Sequence, residues 1–234
     1  MKRLRIFGIL LTVILLASCN KNEDKASGTG DVMIISKQAG TTTVYGLSMY
    51  AYTFSAFASV KAVSLSDTTK IYTLKDDQGI KTTFYYDTPE SEFTISKPVA
   101  STFNFSAVFE NGVKQEFQNT LTEDVLPIPT FEKCEYNVIT HQLDINWTTI
   151  STANKYAINI YDGSKLVFKS LLLDNNLLPK FVIGADGGGW DTNSTPVSGK
   201  TYKVRLLAYL FEPGKGTLNI QSISIAEKTV VWGN

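Results

Sequence analysis

The chain has 234 residues, with 22 basic and 22 acidic side chains, one His and two Cys; 43% of the residues are hydrophobic, 12% aromatic and 19% charged. This composition excludes a disordered chain and a polytopic membrane protein. The even charge balance excludes a strongly basic nucleic-acid binder, because phosphate contacts need clustered Lys and Arg.

Lys2, Arg3 and Arg5 open the chain, and Ile6 to Ala17 is an uncharged run of twelve residues. At ~1.5 Å per residue this run is too short for a hydrocarbon core of ~30 Å. It fits the apolar region of a secretory signal peptide. The run ends Leu16-Ala17-Ser18-Cys19, which resembles the lipobox of bacterial lipoproteins. The resemblance implies that residues 1–18 are a signal peptide and that cleavage exposes Cys19 for acylation on its thiol and its new amine. One acyl chain holds a protein marginally, at ~0.8 kcal/mol per buried CH2, whereas two or three hold it stably. The expected partner of the N-terminus is therefore a membrane, anchoring without crossing, and the expected location is the bacterial outer membrane, exposed at the cell surface.

Residues 19–30 are polar and glycine-bearing and read as a flexible tether. Lys21, Glu23 and Asp24 resemble the export signal of surface lipoproteins in the Bacteroidota, although a solvated linker accounts for the same residues. With Cys19 acylated, Cys134 has no partner, which excludes an intramolecular disulfide and a Cys-based zinc site. Its extended surroundings, Phe131 to Tyr136, suit a buried and inert thiol.

The rest of the chain is rich in β-branched and aromatic residues broken by closely spaced turn signals, and helix-period runs are almost absent. The pattern predicts an all-β protein of two tandem sandwiches, the first immunoglobulin-like over 31–125 and the second over 131–234. In the first, strands are expected at 32–36, 44–54, 59–65, 70–74, 80–86, 92–96, 102–110 and 114–120. Phe103, Phe105, Ala107 and Phe109 share one strand face before Asn111-Gly112, which predicts a hairpin with a type I′ turn. Tyr50, Tyr52 and Phe54 share a face expected to pack in the core, and Tyr85 and Tyr86 must point to opposite faces.

Leu126-Pro127-Ile128-Pro129 reads as a short, stiff connector over 126–130. Beyond it, Leu143, Ile145 and Trp147 alternate on one face, as do Tyr156, Ile158 and Ile160, and later Tyr202, Val204, Leu206 and Ala208. Gly199-Lys200-Thr201-Tyr202-Lys203-Val204-Arg205 resembles the sixth strand of fibronectin type III domains, whose Tyr forms a corner at the strand start. Trp147 matches that family's core Trp and Pro129 its proline near the first strand, so the resemblance covers about 127–232. Residues 181–197 are longer and richer in glycine than the usual connection.

Little in the sequence points to catalysis. His141, the only histidine, lies in a predicted turn, and no nucleophile elbow, phosphate-binding loop or dinucleotide fingerprint is present. The paired carboxylates Asp76/Asp77, Glu90/Glu92 and Glu123/Asp124 fall in predicted turns or linkers, where solvated charge is expected; a glycoside hydrolase would need two of them facing one cleft. The most suggestive stretch is Gly184 to Asn193, with three consecutive glycines and a Trp. An indole face stacks on sugar rings, and Asp and Asn side chains bond their hydroxyls, so Trp190, Asp191, Asn193 and Asp186 are the candidate ligand-binding residues. Alternatively, Trp190 covers a sandwich edge, or Asp186, Asp191 and Asn193 gather around Ca2+, at a spacing that departs from the EF-hand. The expected function is non-catalytic capture or presentation of a glycan at the cell surface, without a cofactor or resident metal. The alternative is a structural spacer or an interaction module for an envelope protein.

Overall fold

The computed structural model describes residues 26–77, 79–215 and 219–233. Cys19 and residues 1–18, the expected signal peptide, lie outside the described residues. The chain is all-β, and among the described residues no helix is long and apolar enough to cross a membrane.

The first sandwich contains β1 (Gly28–Ala39), β2 (Thr42–Thr53), β3 (Phe57–Ser64), β4 (Ile71–Asp77), β5 (Ile80–Asp87), β6 (Ser101–Phe109) and β7 (Lys114–Leu121). β4 belongs to both layers. Its first half pairs with β3, and its second half pairs with β5. One layer then runs β1-β2-β5 and the other β3-β6-β7. β7 lies parallel beside β1, where side chains replace ladder bonds: the Gly28 N–H donates to Gln115 Oε1 at 2.8 Å and the Val32 N–H to Asn119 Oδ1 at 3.2 Å. Phe57, Phe103, Phe105 and Phe109 are buried between the layers, and each such side chain contributes roughly 1.5–3 kcal/mol.

Several expectations for this half are corrected. No strand forms at 92–96; Glu90–Glu92 is a 3-10 turn and Thr94 makes an isolated bridge to Tyr45. The hairpin after Phe109 is not type I′, because of its two named residues only Gly112 has positive φ, at 83°. Its N–H bonds Phe109 O, which makes a three-residue loop closed by a left-handed glycine. The core face of β2 is Met49, Ala51 and Thr53, so Tyr52 and Phe54 are exposed; alternation was expected one residue out of phase, which inverts every side chain. The tether was expected to run to Gly30, yet β1 starts at Gly28. A Cβ on Gly28 would lie 2.9 Å from the Phe57 ring, and one on Gly30 2.7 Å from Phe117 and 3.0 Å from Phe105. These glycines let a strand cross aromatic rings, whereas composition alone reads them as flexibility.

The second sandwich contains β8 (Phe131–Asn137), β9 (Gln142–Trp147), β10 (Lys155–Asp162), β11 (Lys165–Lys169), β12 (Leu173–Asp174), β13 (Lys180–Gly184), β14 (Thr201–Phe211) and β15 (Ile220–Val231). The sheet β13-β9-β8 faces the sheet β11-β10-β14-β15, an arrangement of the fibronectin type III kind. Trp147 is 2% exposed and packs on Tyr156 at 5.4 Å between ring centres. Tyr202 opens β14, and its hydroxyl accepts from the Val197 N–H at 2.9 Å, the corner that the family resemblance implied. Cys134 is buried, and burial pushes its thiol up to about 11.

The two sandwiches are joined by more than the proline connector. β1 pairs in parallel with β15, from Ile34 opposite Ser222 to Lys37 opposite Ile225, so one hydrogen-bonded path of strands runs through both halves. Beside this seam, Gln221 Nε2 donates to Thr122 O at 2.9 Å and Asp124 O at 3.2 Å, while its Oε1 accepts from the Thr122 N–H at 3.2 Å. Ser224 Oγ donates to Leu126 O at 2.7 Å, and Ser36 Oγ lies 2.7 Å from Ser224 Oγ. Having spent its proton on Leu126, Ser224 must accept from Ser36.

Candidate functional site

Trp190 follows β13 and is held from several sides. Its Nε1–H donates to Gly184 O at 2.9 Å. Its ring meets Phe168 edge-on at 5.1 Å and Trp232 at 5.5 Å. The backbone on either side is tied to β11, by the Asp191 N–H to Val167 O at 2.9 Å and the Lys169 N–H to Gly189 O at 2.9 Å. Gly189 has a φ of +106°, and a Cβ there would lie 2.7 Å from the Phe168 ring and 2.8 Å from Lys169 O. This glycine therefore serves close approach to β11, not a mobile loop. Trp190 is half-buried and packs on the core of the second sandwich.

Trp190 also borders a cleft of about 320 Å³. Asn193, Ser194, Thr195, Asp162, Lys165 and Lys200 also line it, so hydroxyl, amide, carboxylate and ammonium groups share the cleft with Trp190 and Tyr202. Asp191 pairs with Lys165 at 3.2 Å, and Lys165 also donates to Ser194 Oγ at 3.2 Å. Lys200 pairs with Asp162, which raises the pKa of the ammonium. Of the four sequence candidates, Trp190 and Asn193 line the cleft and Asp191 fixes one of its lysines. Asp186 is exposed on the glycine turn and does not line the cleft. Among the described residues, no three His, Cys, Asp or Glu side chains gather as a metal site. Of the paired carboxylates, Asp76, Glu90 and Glu123 form ion pairs with Lys81, Lys37 and Lys97, and none lines this cleft. His141 sits exposed in the β8–β9 turn with a φ of 56°.

The cleft lies at a definite end of the molecule. β1 enters the first sandwich at Gly28, and its parallel partner β15 ends beside Trp232, which touches Trp190. In register, sixteen strand residues separate the levels of Gly28 and Trp232. At ~3.3 Å per residue that is about 50 Å. Trp190 is thus at the end remote from Gly28, where β1 begins.

Sequence reasoning missed a second polar region, at the seam. Asp31 is 1% exposed. Its Oδ1 accepts from the Val32 N–H at 3.0 Å, its Oδ2 from the Ile220 N–H at 2.8 Å, and the Tyr50 hydroxyl also bonds it. Burial, aided by the nearby Glu212 carboxylate, raises its pKa to about 7 against the lowering effect of those donors. Above it, a cleft of about 240 Å³ opens between the sandwiches, with Ile35, Leu47, Phe93 and Ile225 as apolar walls. Its cations are already engaged: Lys37 bonds Glu90 and covers the Phe93 ring at 3.8 Å, and Arg205 bonds Glu227 and lies 4.7 Å from the Tyr161 ring centre. A lone acidic residue in an early strand gives no sequence signal of such a role, because its partners lie up to 189 positions away.

No protein-family model and no curated protein matches this sequence. Among solved structures, the chain is similar to Tp47, the 47-kilodalton lipoprotein of Treponema pallidum, at 10% identity and a TM-score of 0.41, over 87% of this chain and 49% of that one. It therefore spans about half the length of that lipoprotein. It is also similar to a two-domain fibronectin type III segment of chicken tenascin, at 13% identity and a TM-score of 0.30, over 88% of this chain and 99% of that one. A DUF3823 family protein from Bacteroides uniformis is similar at 9% identity and a TM-score of 0.30, over 87% of this chain and 99% of that one.

Proposed function

We propose that this chain is a non-catalytic lipoprotein of the bacterial outer membrane, anchored through Cys19, that captures a neutral glycan in the cleft beside Trp190. The observation that carries the reading is the pinned indole bordering a polar cleft at the end remote from the start of β1. A ring already held by a hydrogen bond and two aromatic contacts loses little freedom when a sugar packs on it. Asn193, Ser194 and Thr195 supply donors and acceptors for hydroxyls. Lys165 and Lys200 are already paired with Asp191 and Asp162, so an anionic ligand would have to displace a carboxylate, and a neutral one would not.

A glycan array tests this with the chain from residue 20 onward, which keeps Ala26 and all of β1. Trp190→Phe keeps much of the ring packing but loses the Gly184 bond, and Asn193→Ala leaves the packing untouched. Binding by the parent that falls at least tenfold in both variants is the expected result. A folded parent that binds no glycan would defeat the reading.

The seam favours a second reading, a rigid spacer that docks an envelope protein. Parallel pairing of β1 with β15 sets the two sandwiches in one register, as a spacer requires.

A further inference from the structure

Three turns meet at the end of the first sandwich where the chain enters. Gly28 of β1 pairs with Thr53 of β2, which places Phe54 immediately beyond that pair. Tyr52 pairs with Thr83 of β5, so Ile80 at the start of β5 reaches the same level. Gly28 bonds Gln115 of β7, and Val113 lies two residues closer to that end. Each turn exposes one large apolar side chain: Phe54 is 92% exposed, Ile80 55% and Val113 44%. Tyr52 supports Phe54 edge-on at 5.2 Å. The β2 phase that leaves Phe54 out of the core puts it at this tip. Glu110 and Lys114 flank Val113 and offset each other in charge.

We propose that this end, through Phe54, Ile80 and Val113, rests in the headgroup region of the bilayer that holds Cys19. The inference depends on the lipid-anchored reading and deepens it. Seven peptide steps separate Cys19 from Ala26, a span of at most about 25 Å. That leash keeps the apolar tip within reach of the bilayer, while the Trp190 cleft lies about 50 Å further along the strands. Amphipathic tips of this kind bind at the boundary of headgroups and acyl chains, where the apolar part is buried and the backbone stays wet. The bilayer contact fixes orientation, so the cleft faces away from the membrane.

The test places an environment-sensitive NBD fluorophore on the full chain at Phe54→Cys, and in a parallel sample at Val197→Cys near the far end. Buried Cys134 is not labelled. The acylated proteins are reconstituted into vesicles of phosphatidylethanolamine and phosphatidylglycerol. The same labelled chains, with Cys19 replaced by a histidine tag, are tethered to those vesicles through nickel-chelating lipid. A blue shift and a severalfold rise in emission at position 54, absent at position 197, is expected on both kinds of vesicle. Emission at position 54 that stays as it is in solution on the tag-tethered vesicles would overturn the docking, whatever the state of Cys19. Mass spectrometry of the mature N-terminus reads the anchor separately: an unmodified Cys19 would defeat the anchor reading alone.

Discussion

At the residue scale, Asp31 carries the clearest electrostatic consequence. Its folded pKa, about 7, lies well above 3.8, the ordinary value for an aspartate carboxyl. The folded state therefore holds the proton more tightly than the unfolded chain does. Its contribution is fully present below pH ~4 and is lost as pH rises through about 7. Full loss of a shift of this size corresponds to up to about 4 kcal/mol. Urea unfolding should give lower stability at pH 8 than at pH 5, and Asp31→Asn should flatten that slope, because the amide cannot ionise. An Asp31→Asn protein with the parental slope between pH 5 and 8 would assign the pH dependence elsewhere. Trp190 shows a different residue-scale lesson. Its Gly-rich neighbourhood was legible as unusual, but not as tightly tied, because the partner of Gly189 is the Phe168 ring on another strand.

At the element scale, β15 joins the two halves. Along it Ser222 and Ser224 are buried while Ile223 and Ile225 are only half-buried, the inverse of what alternation suggests. A serine at every second position reads as a solvent face. Here that face is covered by β1 and by the 122–126 segment; the Ser224 hydroxyl bonds Leu126 O and Ser36, while the buried Ser222 Oγ makes no hydrogen bond among the described residues. Such pairing between strands nearly the whole chain apart leaves no local trace. The strands of the second sandwich were legible because each buries one face: Leu143, Ile145 and Trp147 of β9 are all in the core, and Tyr202 forms its corner. Gln221 is the side chain that clasps the connector, with three bonds to Thr122 and Asp124. Gln221→Ala should destabilise the protein by about 1–3 kcal/mol, since it strands polar backbone groups at the seam. Calorimetry should then resolve two transitions, where the parent, with its continuous strand path, unfolds in one. A single transition at the parental midpoint would mean that the clasp adds nothing to the junction.

At the scale of the whole molecule, the parallel seam gives the chain two distinct ends. One carries the entry point of β1 with Phe54, Ile80 and Val113. The other carries Trp190, Trp232 and the polar cleft. All-β architecture could be read from alternation and turn residues. The polarity of the molecule could not, because it depends on the register of β1 against β15. The proposed function requires that a sugar meets Trp190 in that cleft. Nitrogen-15 chemical-shift mapping tests it most directly, since the chain has three Trp side chains and therefore three indole N–H signals. Titration with an oligosaccharide selected on the array should move the Trp190 indole signal and the Asn193 amide, leaving the Trp147 indole in place. Shifts confined to residues away from the cleft, or none with any oligosaccharide in a folded protein, would contradict it.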